Sequence, residues 1–136
     1  MVELTQSFLD EAKSFIGPES SRVERFICCG LQQFSPEPQR YDVIWCQWVL
    51  GHLTDDDLVA FFQRCRAGLA EDGILVIKEN ICSSDEAELD DKDSSYMRCR
   101  RLFLELMDRA ELSVVNEEVQ KAFPKDLYEV RMFAVQ

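Results

Sequence analysis

A chain of 136 residues is long enough for one domain with a sizeable core, and its 46% hydrophobic content excludes a disordered protein. Acids outnumber bases 26 to 15, a formal charge of −11 that disfavours a nucleic-acid backbone as partner and either favours a cationic one or serves solubility alone. No apolar run approaches the roughly 20 residues of a membrane helix, and the opening MVELTQSF lacks the basic stretch of a signal peptide, so neither a membrane nor secretion is expected.

In chain order, Val2 to Leu4 is a short apolar stub carrying Glu3. Thr5 can cap a helix whose apolar positions Phe8, Leu9, Ala12, Phe15 and Ile16 follow helical spacing, and Gly17-Pro18 ends it. Arg22 to Cys29 reads as a strand, and Gly30 to Arg40, with Pro36 and Pro38, as a loop. Tyr41 to Cys46 is an almost continuous apolar run, as expected of a strand buried on both faces. Thr54 caps the next helix, with Asp55, Asp56 and Asp57 in its first turn and Leu58, Phe61, Phe62, Cys65 and Leu69 as its buried stripe. Asp72-Gly73 turns the chain into a strand over Ile74 to Lys78.

Glu79 to Lys92 reads as a polar loop, long enough to suggest a functional role. Ser94 or Ser95 is expected to begin a helix with Cys99, Leu102, Phe103, Leu106 and Ala110 on its inner face. Leu112 to Val119 and Tyr128 to Val135 close the chain as an antiparallel strand pair. Strands alternating with helices predict an α/β protein with a mainly parallel sheet and helices on both faces. The cysteines, Cys28, Cys29, Cys46, Cys65, Cys82 and Cys99, form no Cys-x-x-Cys pair, and there is one histidine, so no metal site is expected. They read as small core residues in a reducing cytosolic or nuclear setting.

Ligands of open α/β sheets gather at the carboxyl ends of strands. Glu3 ends the first short strand, where it can accept hydrogen bonds from ribose hydroxyls or simply sit at a helix start. Gly30-Leu31-Gln32 either faces an adenine ring or forms an ordinary turn. Gln47 either reaches a cofactor or caps its strand. His52 is the natural proton acceptor, with a reference pKa near 6.5, or a structural histidine. Asp90, Asp91 and Asp93 crowd together as if to hold a cation, although Asp93 alone could cap a helix. Asn80 can hydrogen-bond a substrate carbonyl or serve a turn, and Trp48 can wall a cation or fill the core.

The segments VELTQSFLDEAK, CCGLQQFSPEP, YDVIWCQWVLGHLTD, ILVIKEN, LDDKDSS and FPKDLYEVRMFA together resemble the α-N-terminal protein methyltransferases. That resemblance implies a single domain over residues 1–136. Its fold would be a partial Rossmann-like class I S-adenosylmethionine-dependent methyltransferase fold, mostly parallel with a C-terminal antiparallel pair. It implies methyl transfer from S-adenosylmethionine to the free α-amine of Xaa-Pro-Lys type protein N-termini, in nucleus and cytoplasm. It assigns Glu3, Leu31, Gln32 and Gln47 to the cofactor. Trp48, Asn80, Asp90, Asp93, Ser95 and Tyr128 fall to the channel for the substrate N-terminus, and His52 with Asp93 to the pair that takes the proton from the amine.

The sequence departs from the family pattern in two places. Its glycines, Gly17, Gly30, Gly51, Gly68 and Gly73, form no Gly-x-Gly-x-x-Gly. By the resemblance, Met1 falls at the end of the second strand, and the first strand with its glycine loop belongs upstream, between the second and fourth strands. The segment between Asn80 and Asp90 is one residue longer than the pattern. The alternatives to an active enzyme are a non-catalytic module that holds basic N-termini or pairs with a full-length partner, and a chain that does not fold stably.

Overall fold

Residues 1–124 and 126–136 are described by a computed structural model of the chain, which divides into two units, Met1–Phe34 and Ser35–Gln136. In the first unit, β1 (Val2–Glu3) pairs in parallel with β2 (Ile27–Cys28). Between them lie α1 (Gln6–Ile16) and a 3-10 turn over Gly17–Arg22. The α1 boundaries follow the expected spacing, but Thr5 makes no side-chain cap; its amide donates instead to the Glu3 carboxylate at 2.8 Å. Leu9 and Ala12 are buried, whereas Phe8 and Phe15 are exposed rather than part of an inner face. The strand expected over Arg22 to Cys29 shrinks to two residues, because the chain leaving Gly17 (φ +68°) winds into the 3-10 turn through Arg22.

The second unit is built on a four-stranded sheet of order β3-β4-β8-β7. Here β3 (Tyr41–Gln47) runs parallel to β4 (Leu69–Ile81) through α2 (Asp55–Gly68), and β8 (Glu129–Val135) lies antiparallel between β4 and β7 (Val114–Val119). The closing pair is antiparallel, as its short connection requires.

Along β4 the burial alternates: Leu75, Ile77, Glu79 and Ile81 are buried, and their neighbours are half-buried. Leu58, Phe61, Phe62 and Cys65 of α2 are buried, and so are Phe103, Leu106 and Met107 of α3 (Arg100–Arg109). Phe103 meets Phe133 of β8 with ring centroids 6.0 Å apart. Thr54 caps α2 as expected, its side chain accepting from the Asp57 amide at 3.2 Å.

Four expectations are corrected. Strand β3 is not buried on both faces: Cys46 is buried, but Val43 and Trp45 are 56% and 55% exposed. Among the described residues its only ladder partner is β4, so it is an edge strand. Strand β4 begins at Leu69 rather than Ile74, because the residues around Asp72 (φ +62°) bulge between the Tyr41–Leu69 and Val43–Ile74 pairs without leaving the ladder. The polar loop is partly strand: β4 continues to Ile81, and β5 (Glu88–Asp90) folds back on β6 (Ser95–Met97) as a hairpin. Ser94 (φ +57°) and Ser95 therefore do not open a helix; α3 starts at Arg100. No helix among the described residues is long and apolar enough to cross a membrane.

Candidate active site

The carboxyl ends of β3 and β4 lie side by side in the second unit, with Gln47 opposite Lys78. The ladder extends one residue further, the Trp48 amide donating to the Lys78 carbonyl at 3.1 Å. Trp48 then takes a left-handed conformation (φ +51°), uncommon for a bulky residue, and the chain leaves the sheet in a 3-10 turn over Leu50–His52. Glycine suits the middle of that turn, where a Cβ on Gly51 would fit tightly, 3.2 Å from the Tyr96 carbonyl oxygen and 3.4 Å from Ser95 Cβ.

These ends open into a cavity of about 330 Å³ lined by Trp48, His52, Asn80, Asp93, Ser95 and Tyr128, among others. Asn80 faces Val130 across the β4–β8 ladder, and Tyr128 immediately precedes β8, so both reach the cavity from one sheet end. Asp93 and Ser95 come from the turn and first residue of the β5–β6 hairpin. Six residues singled out from sequence thus converge. Asp90 does not line the cavity; its carboxylate accepts the Lys92 amide at 2.9 Å inside the hairpin turn. Gln47 does not line it either, and its side-chain oxygen accepts from the Trp45 indole at 3.2 Å.

The Ser95 hydroxyl is the main influence that holds the Asp93 carboxyl below its usual range, aided by the Ser95 amide (3.0 Å) and the charge of His52. The nearby Glu88 carboxylate raises the Tyr128 phenol, whose hydroxyl donates to it at 3.4 Å. Lys78 Nζ stands 5.2 Å from the Trp48 ring centroid, so a cation already lies over this indole. Among the described residues, no group of three or more His, Cys, Asp or Glu could hold a metal ion.

Two charged residues of the cavity lining, Glu79 and Arg98, escaped sequence reasoning. Glu79 is buried, and burial raises its pKa against the pull of the amides it accepts from, Leu50 at 3.1 Å and Val49 at 3.0 Å. Arg98, 1% exposed, donates to Asp55 and to the Leu50 and Leu53 carbonyls. A signal for Glu79 was available. It shares the alternating parity of Leu75, Ile77 and Ile81, which places it on the core face.

In the first unit, Glu3 is the last residue of β1, and Leu31 and Gln32 lie just beyond the carboxyl end of β2.

A parallel strand–helix–strand core, an antiparallel closing pair and a cavity at the strand carboxyl ends are features this chain shares with S-adenosylmethionine-dependent methyltransferases of known structure. A SAM-dependent methyltransferase of Leishmania major superposes with a TM-score of 0.93 at 32% identity, over 99% of this chain and 53% of that one. A Burkholderia thailandensis 1,6-didemethyltoxoflavin-N1-methyltransferase shares the fold at a TM-score of 0.75 and 18% identity, over 99% and 59%. The chain belongs to the AdoMet dependent proline di-methyltransferase family, which it matches over residues 1–136. It is 50% identical over 135 residues to N-terminal Xaa-Pro-Lys N-methyltransferase 1 of Danio rerio, and 53% and 46% identical to the relatives 1-A of Xenopus laevis and 1 of Homo sapiens. In each case 99% of this chain aligns with 60% of the relative, so the chain spans 60% of the length of these curated proteins.

Proposed function

We propose that the chain carries the substrate side of a protein α-N-terminal methyltransferase, which moves a methyl group from S-adenosylmethionine to the free α-amine of Xaa-Pro-Lys type protein N-termini. The observation that carries this reading is the convergence of Trp48, His52, Asn80, Asp93, Ser95 and Tyr128 on one cavity. An α-amine with a reference pKa of about 7.7–8.0 is largely protonated at neutral pH, and only its lone pair is nucleophilic. His52 and Asp93 accept that proton. Asp93, kept ionised by Ser95, also attracts the cationic amine before the proton leaves. Asn80 orients the first residue through its amide, and Trp48 and Tyr128 wall the channel. The net charge of −11 draws in a basic chain end.

S-adenosylmethionine, when bound, supplies the electrophilic methyl group. The donor set suits its adenosine half: the Glu3 carboxylate for the ribose hydroxyls, and Leu31 with Gln32 for the adenine. Gln47, which ends β3 in the second unit, is the fourth residue that the resemblance assigns to this cofactor. A nuclear or cytoplasmic setting, where thiols stay reduced, belongs to the same reading.

Calorimetry with an Xaa-Pro-Lys peptide and its N-acetylated form tests the reading. The free peptide is expected to bind and the acetylated one not, with Asp93→Asn weakening binding about tenfold; equal binding of both peptides would sink it. A second reading is a module that holds basic N-termini without methylating them; the cavity lining supports binding in both readings. Mass spectrometry of the peptide after incubation with S-adenosylmethionine separates the two: added methyl groups establish the enzyme, and binding without them the module.

A further inference from the structure

A single 3-10 turn has few hydrogen bonds of its own, so its other backbone groups need outside partners. In the turn that carries His52, the internal bond is from the Leu53 amide to the Leu50 carbonyl, at 3.2 Å. Among the described residues, the other hydrogen bonds to this backbone come from two buried charges. Glu79 Oε1 accepts the Val49 and Leu50 amides at 3.0 and 3.1 Å where the chain enters the turn. Arg98 donates to the Leu50 carbonyl at 3.2 Å and the Leu53 carbonyl at 2.6 Å, and through Nε to Asp55 at 2.9 Å, where the chain leaves it.

The two charges stand on different supports. Glu79 belongs to β4, at the core of the sheet. Arg98 directly follows β6, whose first residue, Ser95, donates to Asp93; its carbonyl accepts the Cys82 amide at 3.2 Å, which ties it to the residue after β4. A continuous path therefore runs from Asp93 through Ser95 and β6 to Arg98, then through the Leu50 and Leu53 carbonyls to the backbone of the His52 turn. Burying an anion and a cation is costly, and an apolar pair of similar volume often serves stability as well. What the charges add is a defined place for the turn.

We propose that Glu79 and Arg98 are positioning residues that fix the His52 turn against Asp93; this rests on the reading of His52 and Asp93 as the proton-accepting pair.

Carbon-13 NMR of the Asp93 carboxyl group across an acid titration reads how closely the His52 turn stands against it. In the otherwise unmodified chain, His52→Gln is expected to raise the Asp93 midpoint, because it removes a positive charge that helps to lower it. Glu79→Gln keeps an acceptor oxygen but no charge, and Arg98→Lys replaces a three-way fork by one ammonium. In either background the displacement caused by His52→Gln is expected to fall below half its original size, with cooperative unfolding retained. An undiminished displacement in folded variants overturns the proposal and leaves the proton-accepting pair intact. No displacement in the unmodified chain overturns the pair itself, and the proposal with it. Should neither variant fold, hydrogen exchange of the Val49 and Leu50 amides in the unmodified chain decides: slow exchange upholds the clamp, and exchange at the rate of exposed amides overturns it.

Discussion

The backbone amide of Ser95 donates to the Asp93 carboxylate across 3.0 Å, and the hydroxyl of the same residue donates to it as well. One serine thus supplies two of the bonds that favour the charged form of the carboxylate lining the cavity.

Ser95→Ala removes the hydroxyl and keeps the amide. The Asp93 pKa is expected to rise toward the ordinary carboxylate value without reaching it, because the amide and the charge of His52 still lower it. Carbon-13 NMR of the carboxyl group across an acid titration checks this; an unchanged midpoint would assign the lowering to other groups.

Acid stability of the second unit is expected to depend on Glu117. Arg100 grips both its carboxylate oxygens at 2.7 Å and Arg131 adds a third contact, which together lower its pKa from 4.5 to about 2. A depressed carboxylate contributes fully above its unfolded value, and that contribution is lost as pH falls through the folded one. Stability should therefore drop between about pH 4.5 and 2. Glu117→Gln should flatten this slope and cost about 1–2 kcal/mol at neutral pH, with the exposed arginine screened by solvent. Urea unfolding across this range measures both effects.

Gly68→Ala sets two effects against each other at the end of α2. Helix propensity favours alanine by about 1 kcal/mol. The new Cβ, however, would stand 2.5 Å from Pro36 Cβ, a ring atom that cannot swing away, and overpacking of this kind costs about 1–3 kcal/mol. Net destabilisation is expected, read as a lower urea midpoint; a raised midpoint would mean that the Pro36 segment yields freely.

Val43 and Trp45 share one face of an edge strand and are more than half exposed. Apolar edges invite pairing between chains. Light scattering is expected to show association that grows with concentration, reduced by Val43→Lys and Trp45→Lys together. Scattering that the double variant leaves unchanged would place the association elsewhere.

The strands and helices most legible in the sequence are those whose pattern and boundaries agree. Tyr41–Gln47 is a long apolar run, and α2 has both a cap at Thr54 and helical periodicity behind it. Where boundary residues were ambiguous, local reading went astray. The stretch LDDKDSS is polar enough to read as loop, yet it supplies most of a hairpin whose ladder has three residue pairs. Ser94 and Ser95 look like helix caps but serve the hairpin, and α3 starts five residues after Ser95. The cavity lining was legible beside two strand ends, with Trp48 and Asn80, but not at Gln47, which ends β3 and bonds Trp45 instead. It was illegible where a lining side chain is held by partners remote in sequence, as with Glu79 under Val49 and Leu50, or Arg98 beneath the turn.

The strand order β3-β4-β8-β7 has a consequence for the chain as it is synthesised. β3 and β4 can join as soon as α2 has linked them, but β7, although made earlier than β8, has no place in the sheet until β8 arrives. Leu75 must meet Val135 across most of the second unit before either edge of that central slot is satisfied. Closing so long a loop is entropically slow. Until it closes, the nascent chain holds a two-stranded ribbon with open sides and a cavity that has not yet acquired its Tyr128 wall.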